Sequence, residues 1–357
     1  MDPDCSAIDY SMEEECSKEQ DYTPILSDDA LLLILSELSW KDILNVKLLS
    51  RRFYGVIHRN NHRLERRGVV DLSIKYNGNC GEYPFFIKMG DTTVRNESSD
   101  VIQHDSYSKI NRFKSCEELS SFLKMVDLRN IDKLNVPFAD NHDIFGILNR
   151  SFQVGSNIGT LNILKLSEKD LKSFQTFIGK LSSVKKMFVE DICAHSTEMK
   201  DDFSLLSSLT SFNTIEYLDI FECHKTMILS ADMAIDLLRR SQNIKFLVFG
   251  TGNIEFVRSV FKGFFKVEQP RKMEDECDYD EITLQIYFNG EYGLILDILR
   301  SSLSEVENVV EINNSNPEDV EFKSNVDCKY CFKNKHSISK YFLLCNTELS
   351  AYIGGWG

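Results

Sequence analysis

Long apolar runs are missing from this 357-residue chain. The longest, Ala30–Leu35 (ALLLIL), is far short of the ~20 residues a membrane-spanning helix needs. The opening MDPDCSAIDYSMEEEC has neither a basic n-region nor an apolar h-region, which argues against a secretory signal and for an intracellular protein, cytoplasmic and/or nuclear. Positive charge is also short, with 41 Lys and Arg against 55 Asp and Glu and a net charge of −14. Neutralising nucleic-acid phosphates or anionic lipid needs the opposite balance, so the expected partner is a protein. Nor is there a G-x-G-x-x-G, a phosphate loop, a G-x-S-x-G or an H-E-x-x-H, and neither catalysis nor a cofactor is expected. The 10 cysteines are scattered through apolar segments, where a reducing compartment leaves them as small buried hydrophobes.

What is present is concentrated first in Ile25–Ile57, ILSDDALLLILSELSWKDILNVKLLSRRFYGVI. Apolar residues at Leu31, Leu32, Ile34, Leu35 and Leu38 have helical spacing. Ser39, with Asp42 three residues on, caps a second helix carrying Ile43, Leu44, Val46, Leu48 and Leu49. A third helix runs from about Arg52 towards Gly68 with Phe53, Val56 and Ile57. These helices are apolar on more than one face, and ~40 residues cannot enclose that much hydrocarbon. Surface of this kind normally marks a partner interface. An N-terminal helical hairpin folded on its own body is the plain alternative.

The stretch resembles the F-box. Leu26, Asp29, Leu31, Ile34, Leu35 and Leu38 fall on the first half of its pattern, and Asp42, Ile43, Val46, Leu49, Arg51, Arg52, Phe53, Val56 and Ile57 on the second. Ser27 replaces the usual proline, Ala30 a leucine, and Ser50 a common cysteine. The resemblance implies a three-helix module over 23–67 that docks on the Skp-family adaptor of a cullin–RING ubiquitin ligase. Its implied Skp-binding residues are Leu26, Ile34, Leu35, Leu38, Ile43, Val46, Leu49 and Phe53. In layout the chain is similar to F-box proteins of the large roundworm families, a short F-box ahead of a divergent body that recruits a protein target. The implied function is substrate recognition without bond chemistry. A Skp-bound scaffold without ubiquitination is the alternative, and an α/β enzyme with a polar cleft at its strand ends is the rival from another class.

Ahead of the module, 1–22 reads as an unstructured acidic tail. Behind it, VVDLSIKY and EYPFFIKM flank NGNCG as a hairpin, with Asp91–Lys114 a surface loop, so that 68–115 forms a hairpin and linker. An apolar-x-x-apolar-x-apolar unit then recurs from Ile131, Leu161, Val184, Ile215 and Ile244, with looser copies at Ile282 and Val309. Helical patterns separate the copies. The expected fold is α/β, the F-box followed by an irregular leucine-rich-repeat-like solenoid over 116–312, with 313–357 as a cap.

Period-two alternation turns Lys133, Asn135, Ile163, Lys165, Lys186, Phe188, Tyr217, Asp219, Phe221, Phe246 and Val248 away from the core. Phe188, Tyr217, Phe221 and Phe246 are therefore candidates for target binding, because exposed aromatics bury large area at low entropic cost. A second layer covering them as core is the competing reading. Cys328, Cys331, His336 and Cys345 form C-x2-C-x4-H-x8-C, which suits zinc in type. The final gap is long and Cys345 sits in the strand-like YFLLC, so no metal is assigned. Arg59, Arg63, Arg66 and Arg67 on the third helix read either as a solvated face or as a site for an acidic partner.

Overall fold

The structure is a computed structural model that describes residues 26–60, 63–91, 109–137, 142–193, 209, 212–223, 226–241, 243–268, 280–312, 319–328 and 336–346. The acidic tail, the helical pattern at 201–208 and the acidic loop 273–279 lie outside these. The chain divides into two compact units, Met1–Arg66 and Arg67–Gly357.

The first unit holds α1 (Asp28–Ser36), α2 (Trp40–Val46) and α3 (Arg51–Asn60). A serine accepts from a free amide near the start of each helix: Ser27 from Ala30 at 3.2 Å, Ser39 from Asp42 at 3.3 Å, and Ser50 from Phe53 at 3.2 Å. Ser27 and Ser50, two departures from the F-box pattern, thus act as caps. Arg52 reaches back to the Leu26 carbonyl at 2.5 Å and Asp28 Oδ1 at 2.9 Å, while Arg59 meets Asp28 Oδ2 at 3.0 Å. Leu31, Leu32, Leu35, Ile43, Val56, Ile57 and Leu64 form the core, with Leu38, Val46 and Phe53 packed on it. Helix α3 ends at Asn60 rather than near Gly68. Its basic residues therefore do not share one face, since Arg59 belongs to α3 and Arg67 opens the first strand.

Among its described residues, the second unit is built on one 14-stranded sheet. Its strands are β1 (Arg67–Tyr76), β2 (Phe85–Asp91), β3 (Lys109–Phe113), β4 (Val126–Asp127), β5 (Asn130–Val136), β6 (Ser156–Ile163), β7 (Leu166–Ser167), β8 (Leu181–Cys193), β9 (Tyr217–Glu222), β10 (Phe246–Thr251), β11 (Glu281–Phe288), β12 (Val309–Ile312), β13 (Asp319–Asp327) and β14 (Ser337–Asn346). The spatial order is β12-β13-β14-β11-β10-β9-β8-β6-β5-β1-β2-β3, with β4 beside β1 and β7 beside β8. From β1 to β14 that path is parallel, and the strands outside it at both ends are antiparallel.

Among the described residues six α-helices accompany the sheet: α4 (Cys116–Leu123), α5 (Ile144–Ser151), α6 (Leu171–Ile178), α7 (Ala231–Arg240), α8 (Ile254–Lys266) and α9 (Tyr292–Ser302). Their apolar faces share one continuous core with one face of the sheet. Leu72, Leu134, Leu161, Met187, Leu218, Leu247, Leu284, Phe342 and Phe322 lie in register across nine strands, each fully buried. This row is the physical content of the repeat. One chain's apolar spacing continues its neighbour's, and parallel strands keep the spacing in step.

The register corrects several expectations. The second copy of the unit starts at Ile158, which pairs with Ile131, not at Leu161. Ile163 consequently points into the core, and Thr160 and Asn162 take the opposite face. Within the expected loop, Lys109–Phe113 is strand β3. The hairpin β1–β2 forms, and since β1 also pairs parallel with β5 and β2 with β3, the described strands of 68–115 belong to the sheet. Val309–Ile312 does not continue the parallel array. It pairs antiparallel with β13, and β14 takes the place beside β11. Finally, Cys193 and Cys223, at the ends of β8 and β9, are joined as a disulfide with Cα atoms 5.1 Å apart, rather than remaining free hydrophobes.

Candidate functional site

Two surfaces carry the candidate residues. In the three-helix unit, the expected Skp-binding residues separate into three groups. Leu35 and Ile43, 2% and 5% exposed, belong to the unit's own core and cannot face a partner. Leu38, Val46 and Phe53 are half-buried along its margin. Leu26, Ile34 and Leu49 are exposed, and with them stand Leu33, Leu44, Leu48 and Tyr54. Leu33 and Leu44 lie off the inward-facing positions of α1 and α2, Tyr54 is on α3, and Leu48 follows the end of α2. Leu48 at 84% exposure and Leu49 at 72% are the extreme cases. Exposed aliphatic side chains grouped on so short a unit exceed the scattered single residues of an ordinary surface.

The second surface is the sheet face opposite the helices. Its β1–β6 half is polar. Lys133 and Thr160 follow one another in register, with Lys186 of β8 next in the row, and Asn162 donates to Asn135 at 2.6 Å. From β8 onward it becomes aromatic. Phe188 and Tyr217 lie 5.0 Å apart between ring centroids, Tyr217 stacks on Phe246 at 5.2 Å and 7°, and Phe221 meets Tyr287 at 5.5 Å. All four aromatics singled out from the sequence are half-buried, contact one another or Tyr287, and stand outside the continuous core. Gly250 makes room for Phe221, whose ring lies where a Cβ on Gly250 would be.

Two carboxylates of β9 differ sharply. Glu222 accepts from Thr251 Oγ1 at 2.5 Å and from the Ile228 and Leu229 amides at 2.5 and 2.6 Å. Burial raises its pKa, and these donors offset part of the rise. Asp219 lies between Tyr217 and Phe221 along the strand, with Phe188 and Val248 in register on either side. Its Oδ1 is buried without a hydrogen-bond partner. Burial, reinforced by the charge of Glu190, pushes its carboxyl up to about 7. Burial likewise pushes Tyr217 up to about 12.

Chemistry is sparse elsewhere. Cys116 Sγ lies 3.4 Å from His142 Nδ1, but burial raises the thiol, which opposes a nucleophilic role. Of the zinc pattern, Cys331 lies outside the described residues. His336 pairs with Asp280 at 2.9 Å, and Cys345, receiving Gln285 Nε2 at 3.2 Å, stands about 30 Å further along the extended β14. No group of three or more metal-ligating side chains gathers among the described residues. Among them, too, no helix is long and apolar enough to cross a membrane. No protein-family model matches the chain, and no curated protein matches it.

Proposed function

We propose that the protein is a substrate-recognition adaptor of a Skp–cullin–F-box ubiquitin ligase. Its three-helix unit docks on a Skp-family protein, and through it a cullin. Its sheet unit, an irregular leucine-rich-repeat-like solenoid in this reading, holds a protein target. The single observation that carries the proposal is the exposed set Leu26, Leu33, Ile34, Leu44, Leu48 and Leu49 on a unit that already has its own core. Burying a fully exposed leucine contributes ~1.5–3 kcal/mol, so a few of them outweigh much of the entropic cost of association. The adaptor's contribution to ubiquitination is proximity, which raises the effective concentration of target lysines near the charged conjugating enzyme.

The test is capture of a purified Skp-family protein by the full chain and by its Leu48→Asp/Leu49→Asp variant, with helicity checked by circular dichroism. Both positions are exposed, so the variant should keep its fold and lose capture at least about 100-fold. Undiminished capture by a folded variant, or no capture by the unaltered chain, rejects the proposal.

A further inference from the structure

We infer that the aromatic sector of the open sheet face, with Asp219 at its centre, is a binding site for a cationic side chain, an arginine or lysine presented by a partner protein. This deepens the target-binding half of the function proposed above and rests on it, but does not require the three-helix unit. The residues flanking Asp219 along and directly across the strands are aromatic or aliphatic: Tyr217 and Phe221 along β9, Phe188 across on β8, Val248 across on β10. The protein supplies three donors to Glu222, three residues further on, and none to Asp219 Oδ1. A buried acceptor left without a donor is costly, and proteins rarely retain one without a use. The one charge that acts on Asp219 directly is the like charge of Glu190, with Asp191 beside it; Lys186 stands across from Tyr217, and Lys165 acts on Asp191.

A cation answers each of these features. Tyr217 lies between the rings of Phe188 and Phe246, 5.0 and 5.2 Å from them, and the three form a stacked aromatic row beside the carboxylate. A guanidinium or ammonium set beside that row brings N–H donors to the carboxylate, while its alkyl stem lies against the aromatic side chains and Val248. An anionic ligand would meet Asp219, Glu190 and Asp191 with like charge. A purely apolar one would leave the carboxylate stranded.

The experiment titrates argininamide, and separately its isostere citrullinamide, both acetylated at the α-amine so that only the first carries a charge, into the isotopically labelled full-length protein, observing Tyr217 and Phe246 ring signals and the Asp219 carboxyl carbon. The expected result is saturable perturbation of these groups by argininamide, at least about fivefold weaker for citrullinamide and for argininamide with the isosteric Asp219→Asn. Equal responses to the two probes on the unaltered protein overturn the inference, as does undiminished binding to Asp219→Asn. So does the absence of any response at these rings. Since none of these signals depends on Skp capture, a chain that captures Skp but ignores argininamide retains the adaptor reading and loses this one.

Discussion

Asp219 lends itself to a stability test before any ligand is known. Its carboxyl titrates near 3.8 in an unfolded chain and about 7 in the folded one. Between those values the folded state holds a proton that the unfolded state has released. Stability therefore falls as pH rises through the window, and the loss is complete above about pH 7. Asp219→Asn should stabilise the protein by roughly 1–3 kcal/mol at pH 8, allowing for the site's partial exposure, and by almost nothing near pH 4. Urea denaturation at the two pH values measures the difference, and an equal gain at both would remove desolvation as the cause. Gly250→Ala should cost about 1–3 kcal/mol by driving Phe221 off its seat. Gly293→Ala on α9, where an added methyl meets open space, should be neutral or slightly stabilising in the same urea denaturation. Simple alternation along each strand sufficed to bring Phe188, Tyr217, Phe221 and Phe246 to one face. The isolation of Asp219, the contribution of Tyr287 and the role of Gly250 were not legible, because each depends on which residue stands opposite in the next strand, and strand register is a tertiary property.

Helix α1 shows where periodicity stops being informative. Leu31 to Leu35 are apolar at every position, so the 3.6-residue repeat offers two acceptable inward faces, and packing against Val56 and Ile57 of α3 selects Leu31, Leu32 and Leu35. Leu35→Asp should consequently unfold the three-helix unit, with a loss of ~3 kcal/mol or more, whereas Ile34→Asp, one residue away, should leave its amide-exchange protection within about 0.5 kcal/mol of the unaltered chain. Similar protection in both variants would mean that the inward face is misassigned. Helix starts are local where a serine, aspartate or asparagine caps from one residue ahead, as at Ser115, Asp143 and Asn253, whereas Ser230 precedes α7 without a side-chain capping bond. The pairing of the short VVEI of β12 is not local in this way. Four residues cannot say whether their partner runs parallel or antiparallel, and the answer came from β14, which takes the place beside β11.

The sheet and its helices are tied together at the β14 end by a residue of unexpected kind. Lys340 points into the core side of β14 beside Ile338 and Phe342, and its ammonium donates to the carbonyls of Phe264, Phe265 and Val267 at 3.1, 3.3 and 2.6 Å. These are among the terminal carbonyls of α8, which have no partner within the helix, so a strand more than 70 residues away caps it. Nothing in the sequence around Lys340 distinguishes it from the exposed lysines, because its acceptors are defined only once β14 is inserted. Burial lowers its pKa from 10.5 to about 8. Between those values the unfolded chain carries a proton that the folded chain has lost, so this group makes stability rise with pH across the window, by roughly 2–3 kcal/mol in all. Lys340→Met should remove that rise. At pH 7 the two proteins should differ little, because the variant loses three hydrogen bonds but also relieves a buried charge. At pH 10 the unaltered chain, with a neutral amine still donating, should be the more stable of the pair. Other tyrosines, lysines and cysteines titrate in the same range, but they are common to both proteins and cancel in the difference. Parallel denaturation curves from pH 7 to 10 would show that Lys340 is solvated and that α8 ends without this cap.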